Sequence, residues 1–101
     1  MKITTQDLHY EAYQNTEYAE TRLDNGLSVL VQKTNGYFLV NLLYDDYIVI
    51  LENVFRQEDT ILCEDEQQLQ DALDTAQTIN LQDYQMDKAD TEIVIPKKKR
   101  L

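Results

Sequence analysis

Few side chains in this 101-residue sequence are equipped for chemistry. It has one histidine, His9, and one cysteine, Cys63. A thiol–imidazole nucleophile is the only pair these two can make. No motif flanks either residue, and Cys63 follows the apolar pair Ile61-Leu62, the setting of a buried structural thiol. One Cys and one His are too few for an ordinary structural zinc site. The carboxylates come in clusters: Asp45-Asp46, Glu58-Asp59, Glu64-Asp65-Glu66, and Asp83 with Asp87 and Asp90. None has the alternating Asp/Asn spacing and internal Gly of a calcium loop. Two isolated glycines, Gly26 and Gly36, cannot build a phosphate-cradling loop. The inventory reads as a protein that is not an enzyme and uses no cofactor or metal.

What remains is charge. The chain carries a net charge of −10, placed unevenly. All 19 Asp/Glu but only five of the nine Lys/Arg fall in residues 1–96, so that body carries −14 and the tail +4. Such a body repels phosphate backbones, so no direct nucleic-acid binding by it is expected, and it favours a basic protein surface. The clusters at Asp45, Asp46, Glu58, Asp59, Glu64, Asp65 and Glu66 are the candidate partner contacts. Their positions at turns and element ends let them project. The bland counterpart is a set of solvated turns and helix starts that only keep the protein in solution. Seven tyrosines, in a chain with two Phe and no Trp, add contact area of the kind enriched at interfaces.

The elements that must position these groups are legible in the turn spacing. Asn25-Gly26, Asn35-Gly36 and Asp45-Asp46 recur about every ten residues. Asn-Gly supplies the two positive φ angles of a type I′ turn. Between these turns lie β-branched and aromatic runs, "LSVLVQKT", "YFLVNLLY" and "YIVILENVF", with "EYAETRLD" before them. This predicts a four-stranded antiparallel meander over 17–56; Asp-Asp is a poorer turn than Asn-Gly, which leaves room for a third link longer than two residues. Two-residue loops fix the register. Thr34 should oppose Tyr37, Val31 oppose Val40, Val29 oppose Leu42, Leu42 oppose Val49 and Val40 oppose Leu51. One face then collects Leu27, Val29, Val31, Phe38, Val40, Leu42, Tyr44, Tyr47, Val49 and Leu51 as a core. The other carries Leu30, Leu39, Leu43, Ile48, Ile50 and Val54 among polar residues, a half-apolar face that another segment or a partner should cover.

Leu69, Ala72, Leu73 and Ala76 fall at i, i+3, i+4 and i+7, with Ile79 extending the stripe, and predict a helix over 65–80 on the core face. Asp65 followed by Gln68 resembles a capping box. Residues 4–16 read as a short helix capped by Thr4 or Thr5, with Leu8 and Ala12 turned to the second sheet face. "TEIVI" at 91–95 could add a strand, which Pro96 would end. The fold class is thus α+β: a four-stranded antiparallel meander with one C-terminal helix and a short N-terminal helix. One domain spans 1–96, followed by a basic tail at 97–101. No apolar run serves as a signal peptide or membrane span, and a lone cysteine suits a reducing compartment, so a cytoplasmic location is expected.

Two families resemble this arrangement. The three-stranded-sheet-plus-helix DNA-binding modules of integrases are similar in outline but need a basic sheet face. Here that region offers only Arg22, Lys33 and Arg56. The stretch "EDEQQLQDALDTAQTINL" (64–81), an acidic helix start after a sheet, resembles the C-terminal part of small acidic phage anti-CRISPR proteins, the inhibitors of RNA-guided Cas nucleases. That resemblance implies carboxylates standing where DNA phosphates or PAM bases would sit, taking the bonds of the enzyme's arginines. It implies a basic nucleic-acid-binding enzyme as partner. The alternative is a non-catalytic structural or oligomerisation module, a homodimer pairing through the second sheet face.

Overall fold

The chain forms, in order, one 3-10 turn (Thr5–Asp7), β1 (Glu11–Tyr13), β2 (Thr16–Arg22), β3 (Ser28–Thr34), β4 (Tyr37–Tyr44) and β5 (Tyr47–Leu51). Then come β6 (Arg56–Gln57), β7 (Thr60–Cys63), α1 (Glu66–Gln77) and β8 (Glu92–Ile95). This computed structural model describes residues 2–45, 47–51, 56–57, 59–80 and 92–95. The fold is α+β, with β1 to β5 in antiparallel meander order and α1 following the sheet.

Turn chemistry sets the register. Asn35 and Gly36 hold φ at 48° and 87°, the two positive angles of a type I′ turn, and Thr34 pairs with Tyr37. Val31 therefore meets Val40, and Val29 meets Leu42. Across the third link Tyr44 pairs with Tyr47 and Leu42 with Val49, the register of a two-residue loop, and Asp45 takes a φ of 51° that Asp tolerates better than most residues. Asn25-Gly26 departs from the type I′ expectation. Only Gly26 has a positive φ, 95°. Gly26 N–H donates to Leu23 O, and Leu23 N–H donates to Leu27 O, which is a type I turn followed by a glycine bulge.

Two further corrections concern the sheet. The meander has five strands, because Gln14 at φ 57° turns the N-terminal segment into β1, with Tyr13 opposite Thr16. The expected helix over 4–16 is reduced to the 3-10 turn. Leu8 is buried, but Ala12 is exposed on β1. Second, Val40 pairs with Ile61, not Leu51. Along one edge of β4, β5 pairs at Leu42–Tyr44 and β7 takes over at Phe38–Val40. The excursion between them returns through the β6–β7 pairing, and β8 lies parallel to β5. A strand is therefore present at Glu92–Ile95. Glu52 and Val54 lie outside the described residues, as does everything from Pro96 onward.

The core face is as patterned. Leu27, Val29, Val31, Val40, Leu42, Val49 and Leu51 are essentially fully buried, with Tyr44 and Tyr47 packed against them. α1 closes this face with Leu69, Ala72, Leu73 and Ala76. Burial of each leucine contributes about 1.5–3 kcal/mol. The helix is shorter at both ends than 65–80. Asp65 is its N-cap, with Oδ1 accepting from Gln68 N–H at 2.9 Å. Gln68 Oε1 accepts from Glu64 N–H instead of from the cap residue, so the box is displaced by one position. The N-terminal segment packs on the helix side, not on the second sheet face: Leu8 joins the core, and Gln77 binds both the N–H and the C=O of Ile3.

Candidate functional site

The acidic candidates separate into three places. Because β7 runs antiparallel to β4 with Cys63 opposite Phe38, Glu64, Asp65 and Glu66 continue past the Tyr37 end of the sheet. Asp45 sits in the turn at the opposite end of β4. Seven residue steps of β4 separate these ends, about 23 Å at ordinary strand rise. Asp59 lies between them and is engaged locally: its carboxylate accepts from Thr60 Oγ1 at 3.3 Å, and its backbone O from Asn41 Nδ2 at 3.4 Å. Asp46 and Glu58 lie outside the described residues. The structure thus brings together Glu64, Asp65 and Glu66 and leaves Asp45 and Asp59 apart from them.

Helical periodicity extends the acidic group beyond the residues picked out from clusters. Asp71 and Asp74 follow on α1, five and eight residues after Glu66, and both stood in the stretch read as helix. Glu64, Asp65, Glu66 and Asp71 are exposed, and among the described residues none of the four forms an ion pair. Asp74 pairs with Lys2 at 3.4 Å, an exposed contact of small value. Tyr10 stands near this end of the sheet. Desolvation, then the carboxylates of Glu66 and Glu17, push its phenol up, while Lys33 Nζ lies 5.7 Å from its ring centre.

A cleft of about 380 Å³ runs between β7 and α1. Ile61, Cys63 and Ala72 form its floor, and Glu64, Gln68, Asp71 and Thr75 its rim. The Cys63 thiol is buried and pushed up to about 11, first by desolvation and then by Asp65 and Asp71. His9 is exposed just before β1, beside Tyr13 and Tyr18. Three strands lie between β1 and β7, about 19 Å at ordinary strand spacing, so the structure does not bring His9 to Cys63. Among the described residues, no group of three or more His, Cys, Asp or Glu could hold a metal ion, and no helix is long and apolar enough to cross a membrane.

No protein-family model, no curated protein and no solved structure matches the chain.

Proposed function

We propose that the chain acts by binding another protein, as a DNA-mimic inhibitor of a basic nucleic-acid-binding enzyme of the anti-CRISPR type. The observation that carries this reading is the row Glu64, Asp65, Glu66 and Asp71. Glu64 and the cap residue Asp65 lead into α1, Glu66 opens it and Asp71 lies midway along it; all four are exposed, without a cation to neutralise them among the described residues. Arginines that normally bind phosphate or guanine take carboxylates through the same charge-assisted bonds. A phage or mobile-element origin and a cytoplasmic setting belong to the same proposal, which the lone cysteine accommodates.

The test is binding to a panel of basic nucleic-acid enzymes, Cas nucleases included. Affinity should fall at least about tenfold between about 50 and 300 mM salt, and DNA should compete. A complex that holds DNA and inhibitor together overturns the proposal.

A second reading has its own observation. On the sheet face away from α1, Leu30, Leu39, Leu43, Ile48 and Leu62 are all only half-buried. A homodimer pairing through this face predicts a doubled mass by light scattering at micromolar concentration, abolished by Ile48→Glu. Ile48 is the better probe than Ile50, which is buried. A monomer at every concentration removes this reading.

A further inference from the structure

Asn-Gly occurs twice in the chain, at Asn25-Gly26 and Asn35-Gly36. The pair is chemically reactive, because glycine has no Cβ to bar its own nitrogen from the Cγ of the preceding asparagine. Attack by that nitrogen needs a side-chain amide free to turn, an N–H free to lose its proton, and open space around both.

The fold treats the two pairs differently. At the first, both reacting groups are engaged. Asn25 Nδ2 donates to Ala76 O and Ile79 O, and Oδ1 accepts from Leu27 N–H, so the amide is pinned to the end of α1. Gly26 N–H donates to Leu23 O, which commits the attacking nitrogen to a carbonyl. Space is short as well, since a Cβ on Gly26 would meet Tyr44 Cε1 at 3.1 Å. At the second pair none of these restraints is present. Asn35 and Gly36 are exposed in the turn that the Thr34–Tyr37 pair closes. Among the described residues, neither the Asn35 side chain nor Gly36 N–H has a hydrogen-bond partner. Nothing lies within 4 Å of a Cβ on Gly36.

We propose that Asn35 is a spontaneous modification site, converting to aspartate and isoaspartate with water as co-reactant, while the fold protects Asn25 from the same reaction. Gly36 N attacks Asn35 Cγ and forms an N–Cγ bond. The Cγ–Nδ2 bond breaks, and Nδ2 leaves as ammonia with the proton from Gly36 N–H. Water then opens the cyclic imide. Cleavage at Cγ leaves aspartate on the original backbone. Cleavage at the Asn35 carbonyl carbon leaves isoaspartate, whose backbone runs through Cγ and is longer by one carbon. Both products add a carboxylate at the sheet end past which Glu64, Asp65 and Glu66 continue. Only isoaspartate also lengthens the turn on which the Thr34–Tyr37 register depends. The chemistry is independent of what the chain binds.

The full chain is incubated at mildly alkaline pH, folded and in guanidinium. Conversion at each Asn is followed by peptide mass mapping and by labelling with an isoaspartyl methyltransferase. In the folded chain Asn35 should convert at least about tenfold faster than Asn25. In guanidinium the two rates should converge to within about threefold, because the bonds that hold Asn25 are gone. Folded Asn35 should also stay within about threefold of its own rate in guanidinium. A smaller folded ratio overturns the protection of Asn25. A gap that persists in guanidinium assigns the difference to flanking residues and overturns the role of the fold. Folding that slows Asn35 beyond that margin overturns the site, because the turn itself then holds amide and nitrogen apart. Asn35→Asp supplies the aspartate product alone, and its thermal midpoint should stay close to that of the fresh chain. The aged, isoaspartate-bearing chain should melt lower, and equal midpoints overturn the effect on register.

Discussion

Asn25 ties two distant elements with one side chain. Its Nδ2 donates to Ala76 O at 2.8 Å and Ile79 O at 2.9 Å, satisfying carbonyls at the end of α1, while Oδ1 accepts from Leu27 N–H at 3.2 Å. Asn25→Ala should lower stability by about 2 kcal/mol in urea unfolding, since Ala76 O and Ile79 O each lose a side-chain donor. Asn25→Asp should cost more, because a carboxylate would face those carbonyls. Nothing local announced this role: the partners lie 51 and 54 residues away, and Asn-Gly reads first as a hairpin turn. Cys63 was legible, since an apolar pair precedes it. Its folded-state value of about 11 lies above the ordinary 9.0, so folding favours the neutral thiol. That contribution is fully present below pH 9 and is lost as pH rises through about 11. Stability should fall across this window by up to about 3 kcal/mol, and the fall should shrink in Cys63→Ala. An identical pH profile in the variant would count against the assignment.

At the scale of elements, the two glycines separate two costs. Gly36, at φ 87°, has no neighbour within 4 Å of an added Cβ, so Gly36→Ala should lose only the backbone term, about 1–2 kcal/mol. Gly26, at φ 95°, would set its Cβ 3.1 Å from Tyr44 Cε1, so Gly26→Ala adds crowding against a ring that packs on the core. Its urea midpoint should drop further than that of Gly36→Ala, and equal drops would show that the Tyr44 ring moves freely. The meander, its faces and the helix were legible because period-two and period-3.6 patterns are local. The succession of β5 and β7 along one edge of β4 was not. It depends on where the chain after Leu51 rejoins β4 through β7, and no sequence pattern between them encodes the return. Of the candidate site, the acidic helix start was legible as a cluster, but its separation from Asp45 followed only from β7 running alongside β4.

For the molecule as a whole, repulsion within a −14 body opposes compaction. Raising salt from about 10 to about 150 mM should raise the thermal midpoint by a few degrees, because screening relieves more repulsion than it weakens attraction. A falling midpoint would mean that attractive pairs outweigh the like charges. The clamp between Ile3 and Gln77 has a consequence for synthesis. Gln77 Oε1 accepts from Ile3 N–H at 2.7 Å, and Nε2 donates to Ile3 O at 2.8 Å, so one side-chain amide serves the backbone as a neighbouring strand would. A chain made from its amino end can fold the β2–β3–β4 hairpins while still on the ribosome. The segment around Ile3 must then wait for the last turn of α1 to emerge before it finds its place, so a stretch made before the sheet is locked only after the helix that follows the sheet.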